Sequence, residues 1–564
     1  MFTIAIFLVL VQCIYSAPSV SLPLGTVTGL DYNTITNVPA EIFLGIPFAR
    51  PPTGSLRFEK PQDPVPFGHL NATKFGNICI PHTRRAIPAN NTASEDCLTM
   101  NIIRPKNRIE GNLPVLVWVH GGGYEIGSAS VFGYTGYADN YIPQDIIVVT
   151  FQYRLGVHGF LSVGIPEMNG NFGAFDQAKA IEFINKYIGY FGGDKNKVTV
   201  WGLSAGGCSA AHLVLSPYTR DMVAGAIEMS GSAFSYWGTG TTVTENSWRL
   251  ITELGCLGNQ MKDCLKSKTV DQIYDAVDRV GYTTNDLATI KWGPTLDGDF
   301  LPASPFVLSK QGKPKPIIVG VSNKDAGYFS LLGYSPYIQN LSIPIAEQAS
   351  FTRDKFIAII RKLVEPQYFG SNTEQAVQLT IQKYAPEGQS TAYYLDQYNS
   401  WANMIYFFAP AVDGIISRRD QGWQIYAYRF DQYNPVIWQS RGMTFPQAYG
   451  SVHTNEYAYM FDLFNMGKYD MVGDDGSVHS QLTSAISTFT KTGVPRPNNM
   501  TWPTVGNNLD FYIFKGQPEI QSNFYRDEYN FMSQLRNLGF DLGFLAPSSY
   551  IRSQAQLDRL PLGK

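Results

Sequence analysis

The feature that most constrains this 564-residue chain is a pentapeptide, Gly202-Leu203-Ser204-Ala205-Gly206, set between two segments of different periodicity. Before it stands the apolar run Val198-Thr199-Val200-Trp201, which reads as a buried strand. After it, Ala205 to Leu215 is rich in small residues and reads as a helix. A strand that becomes a helix at a single residue needs a turn too tight for side chains two positions either side of its apex, and the two glycines meet that need. Ser204 then stands above the strand end, at the helix N-terminus. Its hydroxyl is a nucleophile once a base takes its proton. Gly-x-Ser-x-Gly alone is a common string; the strand before it and the helix after it make Ser204 a candidate.

The same alternation runs through the middle of the chain. Val115-Leu116-Val117-Trp118-Val119, Ile146-Ile147-Val148-Val149, Ala226-Ile227-Glu228-Met229, Ile317-Ile318-Val319 and Gln424-Ile425-Tyr426-Ala427-Tyr428-Arg429 read as strands. Between them lies a helix on which Ile181, Ile184 and Ile188 share one face, closed by the turn residues Phe191-Gly192-Gly193-Asp194. This pattern predicts the α/β class, a central, mostly parallel sheet flanked by helices. Residues 240–415 are mostly helical in pattern and are expected to cap the sheet. No Pro/Gly/Ser linker divides the chain, so residues 17–564 are expected to form a single domain with long helical insertions. The loop His120-Gly121-Gly122-Gly123 follows a strand directly. Its backbone N–H groups, with that of Ala205, are placed to hold an oxyanion.

The N-terminal run Ile4-Ala5-Ile6-Phe7-Leu8-Val9-Leu10-Val11 is too short to span a bilayer and fits the core of a signal peptide over residues 1–16. The mature chain is then expected in the secretory lumen or outside the cell. No later segment reaches ~18 uninterrupted apolar residues, so no membrane span is expected. A net charge of -3 with no long basic run argues against nucleic acid as a partner. Cys13 leaves with the leader. Cys79 with Cys97, and Cys256 with Cys264, would close two loops and leave Cys208 over, although spacing alone does not fix the pairing. Asn71, Asn90, Asn340 and Asn499 head Asn-x-Ser/Thr sequons and read as surface glycan acceptors. With no His-Glu-x-x-His string or clustered Cys/His spacing, neither metal nor cofactor is expected.

Several landmarks together resemble one family. These are Phe43-Leu44-Gly45-Ile46-Pro47-Phe48-Ala49, Ser94-Glu95-Asp96-Cys97-Leu98, the triple-glycine loop, Gly170-Asn171-Phe172-Gly173, Phe191-Gly192-Gly193-Asp194, the Ser204 turn, Met229-Ser230-Gly231-Ser232 and Gly450-Ser451-Val452-His453. The chain is similar over nearly its whole mature length to the type-B carboxylesterase/cholinesterase family, which has the α/β-hydrolase fold. The resemblance implies the Cys79–Cys97 and Cys256–Cys264 pairings. It matches Gly122, Gly123 and Ala205 to the family's oxyanion donors, and Arg57 with Glu95 and Arg154 with Asp176 to its structural ion pairs. It matches Ser230 to a second serine near the triad, in a supporting role.

In this fold the triad runs in the order Ser, acid, His. The family places its acid in a segment like Gly-Val-Asn-Lys-Asp-Glu-Gly; this chain reads Gly320-Val321-Ser322-Asn323-Lys324-Asp325-Ala326-Gly327-Tyr328-Phe329. Aligning the Lys-Asp dipeptide puts Ala326 at the acid position and leaves no acid. Aligning Gly320-Val321 and the aromatic Phe329 without a gap puts Asp325 there. The ungapped match is simpler, and Asp325 is the expected acid, its loop sitting closer because Asp is one methylene shorter than Glu. Of the seven histidines only His453 and His479 follow it, both after Gly-Ser-Val. His479 opens a helical pattern with Leu482, Ile486 and Phe489. His453 matches the family's base, with Glu456, Tyr457 and Phe461 downstream. His120 reads as a positioner of the glycine loop, His158 and His212 as packing residues, and Cys208 as a small buried hydrophobe.

Two departures bear on substrate. Leu203 stands where the family often has Glu. No aromatic residue lies between Cys79 and Cys97, where cholinesterases carry the tryptophan that meets a quaternary ammonium. An uncharged carboxylic ester with an apolar acyl or alcohol part is therefore the expected substrate, cleaved through a Ser204–His453–Asp325 triad and an acyl-enzyme. The rival reading is a catalytically weak or inactive cholinesterase-like binding or adhesion protein; the presence of both nucleophile and base argues against it.

Overall fold

The computed structural model describes residues 17–539 apart from 109–110, 241, 282–289, 334–340, 365–368, 441, 462, 465–466 and 469–470. The expected signal peptide, residues 1–16, and the sequon at Asn340 lie outside the described residues.

An 11-stranded sheet forms the centre. Its strands are β1 (Leu30–Asn33), β2 (Pro39–Pro47), β3 (Thr99–Pro105), β4 (Leu113–Val119), β5 (Ile147–Phe151), β6 (Gly193–Leu203), β7 (Gly225–Met229), β8 (Pro316–Ser322), β9 (Gln424–Phe430), β10 (Phe511–Phe514) and β11 (Glu519–Gln521). The spatial order is β11-β10-β9-β8-β7-β6-β4-β5-β3-β2-β1. Strands β4 to β10 pair parallel, while β1 to β3 at one edge and β11 at the other are antiparallel. The apolar runs sit where a parallel sheet needs them: β5 and β7 are buried at every residue, and β4 at all but Pro114. The turn read at 191–194 closes the helix, which ends in a 3-10 turn (Ile188–Phe191) capped by Gly192 at φ 87°, and the next strand starts at once. Gly193 pairs with Leu113, and the register then shifts before Val198 pairs with Val115, so turn and strand run together in β6.

Helices α1 (Phe172–Tyr187) and α2 (Ala205–Leu215) pack on β6, and α2 also on β7. The helix-rich insertions expected over 240–415 are present, interrupted by β8. They end in α3 (Thr391–Asn403), a π-helical turn (Met404–Phe408) and α4 (Ala409–Arg419). Beyond β9 come the short α5 (Glu456–Phe461) and the long α6 (Asp475–Thr492), the latter packed on β4 and β6. Under the strand ends, Trp118 of β4 and Trp201 of β6 meet edge to face at 4.5 Å, with Phe461 of α5 against both.

Several buried charges are held in ion pairs. Arg418 of α4 and Glu228 of β7 are both fully enclosed, joined by two hydrogen bonds, one of them 2.8 Å long, and Arg418 also donates to the Gly414 carbonyl at 2.9 Å. Such a pair adds little net stability, but losing one partner strands a buried charge at a cost of ~3–5 kcal/mol, so the pair fixes where α4 sits on the sheet. Arg154 holds Asp176 through two side-chain bonds of 2.7 and 2.8 Å, and Arg57 holds Glu95, as the resemblance implies. Cys79 is bonded to Cys97 and Cys256 to Cys264; Cys208 is a free, buried thiol. Asn71, Asn90 and Asn499 are exposed. Among the described residues no helix is long and apolar enough to cross a membrane.

Candidate active site

Ser204 is the single residue between β6 and α2, at φ 63° and ψ −129°, half-buried, with its N–H on the Met229 carbonyl at the end of β7 (2.8 Å). A methyl group on Gly206 would lie 2.0 Å from the Val119 carbonyl oxygen, so α2 approaches β4 as closely as it does only because glycine stands there. Gly122, at φ 114°, makes the glycine loop's turn; a side chain there would strike the Ile126 carbonyl at 2.2 Å. Among the described residues the N–H groups of Gly122, Gly123 and Ala205 have no acceptor, whereas the Gly122 carbonyl accepts from Glu125 and Ile126. His120 lies under this loop, its Nδ1 2.9 Å from the Gly121 carbonyl and its ring stacked on Tyr153 at 4.3 Å.

Past β8 the chain turns at Asp325, fully buried, and this carboxylate rather than Ala326 meets His453. Asp325 Oδ1 lies 2.8 Å from His453 Nδ1, and Oδ2 accepts from Ser230 Oγ and from the Ser322 N–H, each at 2.8 Å. The backbones also meet, His453 N–H donating to the Asp325 carbonyl at 3.2 Å, which is how the shorter Asp reaches the imidazole. Ala326 is buried, and its N–H donates to Asn403 Oδ1 at the end of α3 (2.7 Å). His453 is itself buried, and its Nε2 has no hydrogen-bond partner among the described residues. His479 lies inside α6, bonded through Nδ1 to the Tyr459 carbonyl at 2.8 Å. His158 and His212 are buried packing residues, His212 Nε2 being 3.1 Å from Thr239 Oγ1.

Three features escaped the sequence reading. Phe329 and Phe407 each stand 5.1 Å from the His453 ring, and Phe407 is delivered there by the π-helical turn after α3. Asn403 anchors the acid-bearing turn. Glu456, fully buried in α5, faces Asp325 across Ser322. Tyr428 Oη and Ser322 Oγ each donate to its carboxyl at 3.2 Å, and burial with the adjacent Asp325 charge pushes its pKa up to about 8. Only the π-helical turn had a conceivable signal, Pro410 inside a long helical pattern.

The carboxylesterase family model matches residues 16–532. The chain belongs to the carboxylesterase family. It is 39% identical to gut esterase 1 of Caenorhabditis briggsae over 94% of each chain, and 38% identical to gut esterase 1 of Caenorhabditis elegans over 95% of this chain and 96% of that one. It is also 29% identical to the mouse protein named pyrethroid hydrolase Ces2a, over 85% and 84%. Together with the α/β-hydrolase architecture, these make the chain a carboxylic ester hydrolase.

The buried ionisable groups of this esterase predict a stability maximum. Burial lowers the pKa of His120 and His158 to about 4 and of His212 to about 3, from an ordinary 6.5. As pH falls from about 6.5 toward 4, the unfolded chain gains protons that the folded chain does not, and stability drops by roughly 1.4 kcal/mol per pH unit per histidine. Glu456 runs the other way. It ionises near 4.5 when unfolded and near 8 when folded, so it lowers stability as pH rises through that interval. Below 6.5 the three histidines outweigh it; above 6.5 it acts unopposed by them. The unfolding midpoint, followed by circular dichroism, should peak near pH 6.5. Glu456→Gln should flatten the fall toward pH 8 and steepen the acid limb, where Glu456 no longer opposes the histidines.

Proposed function

We propose that the esterase cleaves small, uncharged carboxylic esters by two-step acyl transfer. Ser204 Oγ attacks the ester carbonyl carbon while His453 Nε2 takes its proton. Asp325, on Nδ1, holds the ring in the tautomer that leaves Nε2 free and stabilises the imidazolium. The N–H groups of Gly122, Gly123 and Ala205 receive the oxyanion. As the C–O bond breaks, the imidazolium gives its proton to the alkoxy oxygen and the alcohol leaves. Water then repeats the sequence on the acyl-enzyme, freeing the acid and restoring Ser204. The observation that carries this reading is the buried His453, tied through Nδ1 to a carboxylate with three donors at 2.8 Å and unpartnered at Nε2. Ser230 supports it by holding Oδ2.

Residues 17–564 act as one domain, and the exposed sequons with two disulfides support a secreted, glycosylated protein after loss of residues 1–16. Phe329 and Phe407 beside His453 give the substrate an apolar surround, and Leu203 adds no charge. The test compares butyrylcholine with its uncharged carbon isostere. A cation over an aromatic face gains up to ~2 kcal/mol, about 30-fold, and no aromatic residue lies between Cys79 and Cys97 to offer one. The uncharged ester should therefore show the higher kcat/KM, by about 10-fold or more once the cost of desolvating the ammonium is included. A preference for the choline ester would overturn the substrate class.

A further inference from the structure

The esterase's site has two unlike sides. On one, a methyl group placed on Gly123 would lie 3.6 Å from Ile290, and Phe329 and Phe407 flank the base. On the other, a methyl group placed on Gly121 would lie 3.1 Å from Ser204 Cβ and 3.3 Å from the hydroxyl of Tyr457. The nucleophile and this phenol therefore crowd the same point. Leu203, just before Ser204, is fully buried and brings only its carbonyl to that point, at 2.5 Å.

Tyr457 is held rigidly, its ring 4.6 Å from that of Phe132, 5.9 Å from Trp118 and 6.0 Å from Phe461. Its hydroxyl has no hydrogen-bond partner among the described residues. The unpartnered hydroxyls of Tyr141 and Tyr384 are sealed in the interior; that of Tyr457 is not, although the residue is only 5% exposed. Burial, with Glu456, Tyr328 and Tyr153 nearby, holds the phenol protonated well above the usual tyrosine range, so it is a donor at any working pH. A fixed donor that opens beside the nucleophile and meets no acceptor of its own chain is placed to meet one on a ligand. Tyr457 lies four residues after His453, in α5.

We propose that Tyr457 is a specificity-determining residue whose hydroxyl donates a hydrogen bond to an oxygen in the alcohol part of the ester, so that the enzyme favours esters of oxygenated alcohols over those of plain alkanols. The inference rests on Ser204 as nucleophile. In the acyl-enzyme that alcohol has gone, so the contact acts on acylation and not on release of the acid.

Two esters that share an acyl group but differ at one atom of the alcohol test this: methoxyethyl butyrate and butyl butyrate. Both give the same acyl-enzyme, so kcat/KM isolates the alcohol contact. Comparing the ratio of the two kcat/KM values between wild type and Tyr457→Phe cancels intrinsic leaving-group reactivity. Fluorophosphonate labelling counts active sites in both proteins. One neutral hydrogen bond predicts that Tyr457→Phe lowers the methoxyethyl-to-butyl ratio by about 5- to 10-fold. The hydrolysis rate of the pre-formed butyryl-enzyme should stay the same. An unchanged ratio, or an effect confined to butyryl-enzyme hydrolysis, would overturn the assignment. Failure of wild type to label or to turn over either ester would instead remove the Ser204 reading, and the inference with it.

Discussion

Ser204→Ala will lower kcat for a simple aryl ester by about 10⁴- to 10⁶-fold and abolish fluorophosphonate labelling, while the unfolding midpoint moves by no more than a few degrees. On the proposed mechanism the loss is large because the hydroxyl oxygen is the atom that bonds to carbon; what would survive is catalysis of water attack by the oxyanion donors and binding alone. The stability cost is small because the fold holds Ser204 by its backbone. Its N–H is on Met229, its carbonyl accepts from Cys208, and the strained turn is enforced by glycine on either side. Alanine keeps all of that. Kinetics and calorimetry on one preparation check both halves. A variant that loses activity by unfolding would show it in the midpoint.

The second large effect follows from how Asp325 is satisfied. Its Oδ2 already accepts from Ser230 Oγ and the Ser322 N–H, so in Asp325→Asn the amide oxygen must face those two donors. The NH₂ group then faces His453 Nδ1, makes that nitrogen an acceptor and moves the ring proton to Nε2. An Nε2 that carries a proton takes none from Ser204. About a 10³- to 10⁴-fold fall in kcat is expected at neutral pH, with KM little changed. Asp325→Ala should fall comparably. Full turnover of an aryl ester by Asp325→Ala would take Asp325 out of the triad.

What was legible in the chain was whatever is decided locally. The turn around Ser204 is set by sterics within a few residues, and β4 to β9 announce themselves as apolar runs because a parallel sheet is buried on both faces. The acid was harder. Two registers competed, since nothing adjacent to Asp325 or Ala326 distinguishes them; the choice is made by partners 95 and 128 residues away, Ser230 and His453. His453 and His479 share the same three preceding residues and differ only in what the following chain does: one sits before the short α5, the other within α6. Phe407 was invisible because five π-helical residues re-aim it inside what reads as one amphipathic stretch. Glu456 carried no mark of its own, because a buried carboxyl with a raised pKa has the same letter as a solvated one.

A covalent bond to Ser204 is the step that sets the proposed mechanism apart. Wild-type enzyme should be mixed with an activated aryl butyrate, quenched in acid within its first turnover and mapped by peptide mass spectrometry. A butyryl adduct on Ser204, absent from Ser204→Ala, is predicted. Rapid hydrolysis with no adduct on that peptide, or an adduct on another residue, would contradict it.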